Sequence, residues 1–200
     1  MRKRTLPPLL TLGAALAVYR THRQIIGRLL RLPPARYRVG VQRDLRIPAH
    51  DDVAVLADHY FPKASGSFPT ILIRSPYGRE LEDAPLTLLY GFMVQRFAER
   101  GYHVIAQTTR GRYHSEGEFK AFTYEAGDGQ ATIDWIARQA WFDGHLGMWG
   151  SSYLGYTQWA AATQPQSAPH LIALMPILTS AQFYTPAYAD GVFAFDSVLK

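Results

Sequence analysis

Cysteine is absent from the 200 residues. That absence excludes a disulfide framework, a thiolate zinc site, an iron–sulfur cluster and a cysteine nucleophile, so any covalent chemistry falls to Ser, Thr, Lys, Asp or Glu. Charged residues are sparse as well, at 18%, against 48% apolar and 13% aromatic. A disordered or low-complexity chain has the opposite balance, and the apolar content is enough for one sizeable core. Internal repeats and a phosphate-binding P-loop pattern are missing. The apolar stretch at residues 6–18 has 13 residues, short of the roughly 20 a bilayer span needs.

Positive charge is concentrated at one end. Residues 1–46 hold eleven Lys or Arg against the single acid Asp44, a net of +10, while the remainder holds ten bases and fifteen acids, a net of −5. A nucleic-acid-binding fold displays its bases on the face that meets phosphate, and here the folded portion is mildly acidic, so nucleic acid is not expected as a partner. Arg2, Lys3 and Arg4 before the apolar stretch, with Ala15-Leu16-Ala17 after it, have the form of a secretory signal. Pro7 and Pro8 speak against one. Arg20, Arg23, Arg28 and Arg31 recur at near-helical spacing among Ile25, Ile26, Leu29 and Leu30, a basic amphipathic pattern suited to an anionic membrane surface or to packing on the domain. A cleaved signal, a surface-associated helix and a plain extension all stand as readings. The cytoplasm is slightly favoured, and Pro33-Pro34 ends whatever helix forms.

From residue 36 the pattern is that of an α/β domain. Residues 37–48 and 53–61 read as an antiparallel hairpin turning at Asp51-Asp52. After residue 70, strands at 70–74, 102–107, 146–149 and 171–175 alternate with helices at 86–100, through Ile133, Trp135 and Ile136, and at 153–163. Strict alternation predicts a mainly parallel sheet with helices on both faces. The expected organisation is a basic extension over 1–35, an α/β core over 36–177 and the start of a further region over 178–200.

The run Gly147-Met148-Trp149-Gly150-Ser151-Ser152-Tyr153-Leu154-Gly155 carries a buried strand into a helix. A glycine two places before a serine marks a nucleophile elbow, because a side chain there collides with the following helix. Ser152 has Gly150 in that place and Ser151 has Trp149, so steric argument selects Ser152. The usual small residue two places after the serine is replaced by Leu154, with Gly155 one place later.

Gly150-x-Ser152-Tyr153-x-Gly155 resembles the elbow of the CocE/NonD and X-Pro dipeptidyl-peptidase group of serine hydrolases. Further blocks are similar in the same order: Arg74-x-Pro76-Tyr77-Gly78-Arg79, Phe97-Ala98-x-Arg100-Gly101-Tyr102, Gln107-x-x-Arg110-Gly111 with Ser115-Glu116-Gly117-Glu118-Phe119, and Trp141-x-Asp143-Gly144. The resemblance covers about residues 37–180. It implies the N-terminal part of an α/β-hydrolase fold, truncated before the helical cap and the C-terminal strands. It implies a serine hydrolase of acyl ester or amide bonds, including X-Pro peptides, that works through an acyl-enzyme without metal or cofactor. Ser152 would be the nucleophile, and the backbone N–H of Tyr153 with the phenol of Tyr77 would form the oxyanion hole. Two positions depart from the family pattern: Thr108 stands where an acid is usual, and Asp51-Asp52 where Asp-Gly is usual.

Such a serine needs a histidine and an acid later in the chain. Beyond Ser152 stand only His170, Asp190 and Asp196, and His170 precedes a strand, at its wrong edge. The acid and histidine are therefore expected beyond residue 200. The alternative is a non-catalytic α/β-hydrolase-like binding module. Arg110, Glu116 and Glu118 are expected to pair or hydrogen-bond and so order a loop, with His114 facing solvent. His50, Asp51, Asp58 and His59 are expected to point to different faces rather than form a metal site. Gly127-Asp128-Gly129 lacks the third glycine of a dinucleotide fingerprint, Thr132 standing in its place. A small-molecule ester, amide or peptide is the expected partner; its identity and the oligomeric state stay open.

Overall fold

The computed structural model describes residues 25, 27–79, 86–165, 169–189 and 191–193. The chain falls into two compact units, 1–36 and 37–200. In the first, the described part is a helical turn at 27–29 ending where Arg31 takes φ +51° just before Pro33-Pro34. The signal-like segment and, of the basic stripe, Arg20, Arg23 and Ile26 lie outside the described residues. Among those described, no helix is long and apolar enough to cross a membrane.

The second unit is built on a six-stranded sheet. Its strands are β1 (Val39–Pro48), β2 (Ala54–Pro62), β3 (Phe68–Ser75), β4 (His103–Thr108), β5 (Phe142–Ser151) and β6 (Leu171–Ile177), in spatial order β1-β2-β4-β3-β5-β6. β1 and β2 form the expected antiparallel hairpin; β2 pairs antiparallel with β4, and β4, β3, β5 and β6 are parallel. Asp52, at the hairpin turn, has φ +63°, the conformation a glycine would take there most easily.

Three helices follow the alternation: α1 (Leu86–Ala98), α2 (Glu125–Ala137) and α3 (Tyr153–Ala162). Successive side chains of a strand point to opposite faces. Leu72 and Ile105 thus join Ile133 and Ile136 of α2 on one side, while Ile71, Ile73 and Val104 join Tyr90, Val94 and Ala98 of α1 on the other. After β6 come a single helical turn, α4 (Tyr184–Ala187), and a two-residue ladder of β7 (Tyr188–Ala189) and β8 (Val192–Phe193). Apolar side chains stand open along this stretch and on β6, with Leu178 90%, Tyr184 70% and Ile172 62% exposed. Asp190 and residues 194–200 lie outside the described residues.

Candidate active site

Parallel pairing puts the C-terminal ends of β3 and β5 on one edge of the sheet, and in α/β sheets that edge is where ligands bind. Ser152 is the single residue between β5 and α3. It is exposed, with φ +55° and ψ −124°, angles a non-glycine residue holds only where its surroundings force them. The forcing groups are visible. Ser152 N–H donates to the carbonyl of Ile177 at 2.8 Å, and the Ser152 carbonyl accepts from the N–H groups of Gly155 and Tyr156 at 2.9 and 3.1 Å.

The glycines around the turn are fixed by contact. A Cβ on Gly150, at φ +153°, would overlap the Cβ of Leu154; one on Gly155 would sit 2.5 Å from Thr179 Cγ2. Leu154 is fully buried in the α1-side core, so the larger residue in place of the usual small one is used as core, and Gly155 takes over the close approach to the chain leaving β6. Ser151 is different: it is the last residue of β5, half-buried, and its hydroxyl lies 3.4 Å from that of Tyr90.

Tyr153 opens α3, so its backbone N–H is among those that a helix leaves without an internal acceptor. Its phenol turns the other way. It donates to Glu125 Oε1 at 2.7 Å and accepts from the N–H of Phe122 at 3.1 Å. Burial and the Glu125 charge hold that phenol well above its ordinary range and therefore protonated. Glu125 is answered by Arg74, whose guanidinium stands 3.1 Å from Glu125 Oε2, donates to the Glu125 carbonyl at 2.7 Å and to Gln107 Oε1 at 2.8 Å.

Tyr77 lies two residues past the end of β3, half-buried, its ring against the same core cluster that holds Leu154. Its N–H donates to Ser75 Oγ at 3.0 Å, and Arg112 Nε donates to the Pro76 carbonyl at 2.9 Å. Arg79 ties the turn down. It pairs with buried Asp58 of β2, with Asp44 at 2.9 Å, and donates to Thr108 Oγ1 at 3.0 Å. Thr108 thus serves the loop as an acceptor where the family pattern has an acid.

His170 lies at the opposite edge, where its carbonyl accepts from Leu146 N–H at 3.0 Å. Six residues of β5 separate that point from Ser152, about 20 Å of extended chain. The loop charges do pair and hydrogen-bond, with partners drawn largely from other elements. Arg110 pairs with Asp51 and Asp128, at 2.7 and 2.6 Å, rather than with Glu116 or Glu118. Glu116 pairs with Arg46 and accepts from Ala54 N–H at 3.1 Å, Glu118 pairs with Lys120, and His114 is exposed.

Of His50, Asp51, Asp58 and His59, the last two part from the others and from each other. Asp58 goes to Arg79 and Arg43, and His59 to His103 at 2.8 Å. His50 and Asp51 sit at the turn rather than in a strand, so they converge with Asp128 to within 4.8 Å. The cation they face is the Arg110 guanidinium, which holds the Asp51 carboxyl down to about 2. Gly127-Asp128-Gly129 lies in the first turns of α2, where a Cβ on Gly129 would sit 3.0 Å from that of Ala161; its small residues serve helix packing. Arg74 and Arg79 stand in the Arg74-x-Pro76-Tyr77-Gly78-Arg79 block, but the acids that answer them, Glu125 and Asp58, lie 51 and 21 residues away and nothing in the local sequence marks the pairing.

Residues 51–200 match the family described as X-Pro dipeptidyl-peptidase (S15 family). The chain is 39% identical over 153 residues to cocaine esterase from Rhodococcus sp. (strain MB1 Bresler), covering 76% of this chain and 26% of that protein. Among solved structures it is similar to an α-amino acid ester hydrolase (30% identity, TM-score 0.56, 70% of this chain and 25% of that one). It is also similar to a CocE/NonD family hydrolase from Staphylococcus aureus (25% identity, TM-score 0.57, 67% and 26%). The chain spans about a quarter of the length of these relatives.

Proposed function

Because the chain belongs to the X-Pro dipeptidyl-peptidase (S15) family of α/β-hydrolases, serine hydrolases of esters and peptides, we propose that it supplies the nucleophile and the oxyanion hole of such an enzyme. Ser152 Oγ attacks the carbonyl carbon of an acyl ester or X-Pro amide as a histidine takes its proton. The carbonyl oxygen gains the negative charge and is held by the Tyr153 N–H and the Tyr77 phenol. Collapse of the tetrahedral adduct breaks the bond to the alcohol or amine, which leaves with that proton; water then repeats the sequence on the acyl-enzyme. The histidine and its acid are assigned to sequence beyond residue 200, with residues 36–177 as the catalytic core and 178–200 as the beginning of a helical cap.

The observation that carries this reading is the backbone of Ser152: φ +55°, exposed, at the joint of β5 and α3, held from both sides. Backbone held in so sparsely populated a region gathers at active sites. The test is hydrolysis of a p-nitrophenyl acyl ester by the product of the whole reading frame, beside its Ser152→Ala and Ser151→Ala variants and beside residues 1–200 alone. Ser152→Ala should lower turnover by about 10⁴ to 10⁶, Ser151→Ala by less than about tenfold, and residues 1–200 alone should be inactive. Full activity in Ser152→Ala would refute the nucleophile; activity of residues 1–200 near that of the whole protein would refute the assignment of the base.

A further inference from the structure

We infer that Glu125 is a positioning residue of the oxyanion hole: through the phenol of Tyr153 it fixes the direction of the Tyr153 N–H. This rests on the reading of Ser152 and Tyr153 given above and goes beyond it. The peptide plane between Ser152 and Tyr153 is planar and trans, so its N–H points opposite to its C=O. The Ser152 carbonyl is held from the α3 side by Gly155 and Tyr156, which aims the Tyr153 N–H out of the helix N-terminus. What remains free is a roll of the first turn of α3 about its own axis. The Tyr153 side chain blocks it: one hydrogen bond to Glu125, one from Phe122 N–H, and the ring stacked on Phe122 with centroids 5.0 Å apart.

The carboxylate is built for the task. Glu125 is 4% exposed and Arg74 not at all. Arg74 in β3 faces Glu125 in α2, and Gln107 of β4 both accepts from Arg74 and donates to Thr132 Oγ1 of α2 at 2.9 Å. On the carboxylate itself meet Arg74 of β3 and Tyr153 of α3, and Gln107 of β4 braces Arg74 from behind. A buried ion pair is seldom the more stable alternative to well-packed apolar side chains, so its value here lies in direction. An oxyanion donor loses its effect when displaced by a fraction of an ångström, because its worth depends on being placed before the charge develops.

The experiment compares Tyr153→Phe, Glu125→Ala and Glu125→Gln with the parent and with Ser152→Ala, all in the whole protein. Four quantities are measured: ester kcat and KM, the fraction of active sites titrated to completion by a fluorophosphonate, the affinity of an aryl boronic acid, and the unfolding midpoint. A boronate forms a tetrahedral adduct on the serine and so reports on the oxyanion hole, whereas KM reports largely on ground-state binding. We expect Tyr153→Phe and Glu125→Ala to titrate fully, with kcat and boronate affinity both about tenfold lower and KM within about twofold, as for loss of an interaction made in the transition state. Glu125→Gln keeps an oxygen acceptor and should recover most of the loss.

Tyr153→Phe removes one oxygen and keeps the ring, so it remains informative if Glu125→Ala does not fold. The inference is overturned if Tyr153→Phe leaves kcat and boronate affinity within twofold of the parent, or raises KM alone, while the midpoint falls. If Ser152→Ala retained activity, the reading beneath it would fail first and separately.

Discussion

The two ends of the parallel strands hold their chemistry-bearing side chains in opposite settings. At their N-terminal end His59 and His103 stand 2.8 Å apart, with Trp141 against both rings at 4.4 and 4.6 Å and Phe61 and Phe68 at their edges. Burial pushes both imidazoles down, His59 to about 4 with the neighbouring His103 adding to the effect. Near neutral pH they are an uncharged pair, sealed from any substrate. At the C-terminal end Ser152 is exposed at a helix N-terminus, on the same sheet edge as the turn that holds Tyr77. A list of His, Ser and Tyr would rank the first end higher. Where the chain turns decides what is left uncovered, and histidines stacked on tryptophan in a core serve packing.

That contrast can be tested from each end, beginning with the larger effect. Tyr77→Phe removes a proposed oxyanion donor and leaves the ring in place. It should lower kcat of the whole protein by about 10² to 10³, equivalent to roughly 3 to 4 kcal/mol, while the unfolding free energy from denaturant titration stays within about 1 kcal/mol. A loss of stability without loss of rate would make Tyr77 a packing residue.

The opposite end should show the reverse. The His59 value near 4 in the folded protein lies below the unfolded value near 6.5, so above pH 6.5 neither state binds the proton and the full stability is present. Between pH 6.5 and 4 the unfolded chain takes up a proton that the folded one refuses, and stability falls as the pH falls, by up to about 3 kcal/mol. His59→Gln should flatten that part of the stability profile and leave kcat at pH 8 within about twofold. An unchanged slope in the variant would mean that His59 is not the linked group.

Much of this is legible in the sequence, for reasons of range. Gly150 and Ser152 are two residues apart, and the collision that makes Gly150 obligatory is with Leu154, four residues away. Such geometry is written in the local string. The alternation of strands and helices was equally readable, each element being recognised by its own period. Glu125 was not. An acid in the first turn of a helix already has a sufficient local explanation in the helix dipole, and its phenol partner is 28 residues on. The partners of Arg110 are equally hidden, since the fold brings it Asp51 and Asp128 from the hairpin turn and α2. Charge pairing across the sheet depends on strand order, and β1-β2-β4-β3-β5-β6 is not visible in a one-dimensional pattern.

The central claim is that the turn after β5 makes one serine of the adjacent pair reactive, and it is tested most directly by covalent labelling. The whole protein is treated with a fluorophosphonate at neutral pH, digested, and the modified residue located by tandem mass spectrometry. The account predicts a single stoichiometric adduct on Ser152, absent from Ser152→Ala and retained in Ser151→Ala. An adduct on Ser151, or hydrolytic activity that survives with Ser152 unmodified, would contradict it.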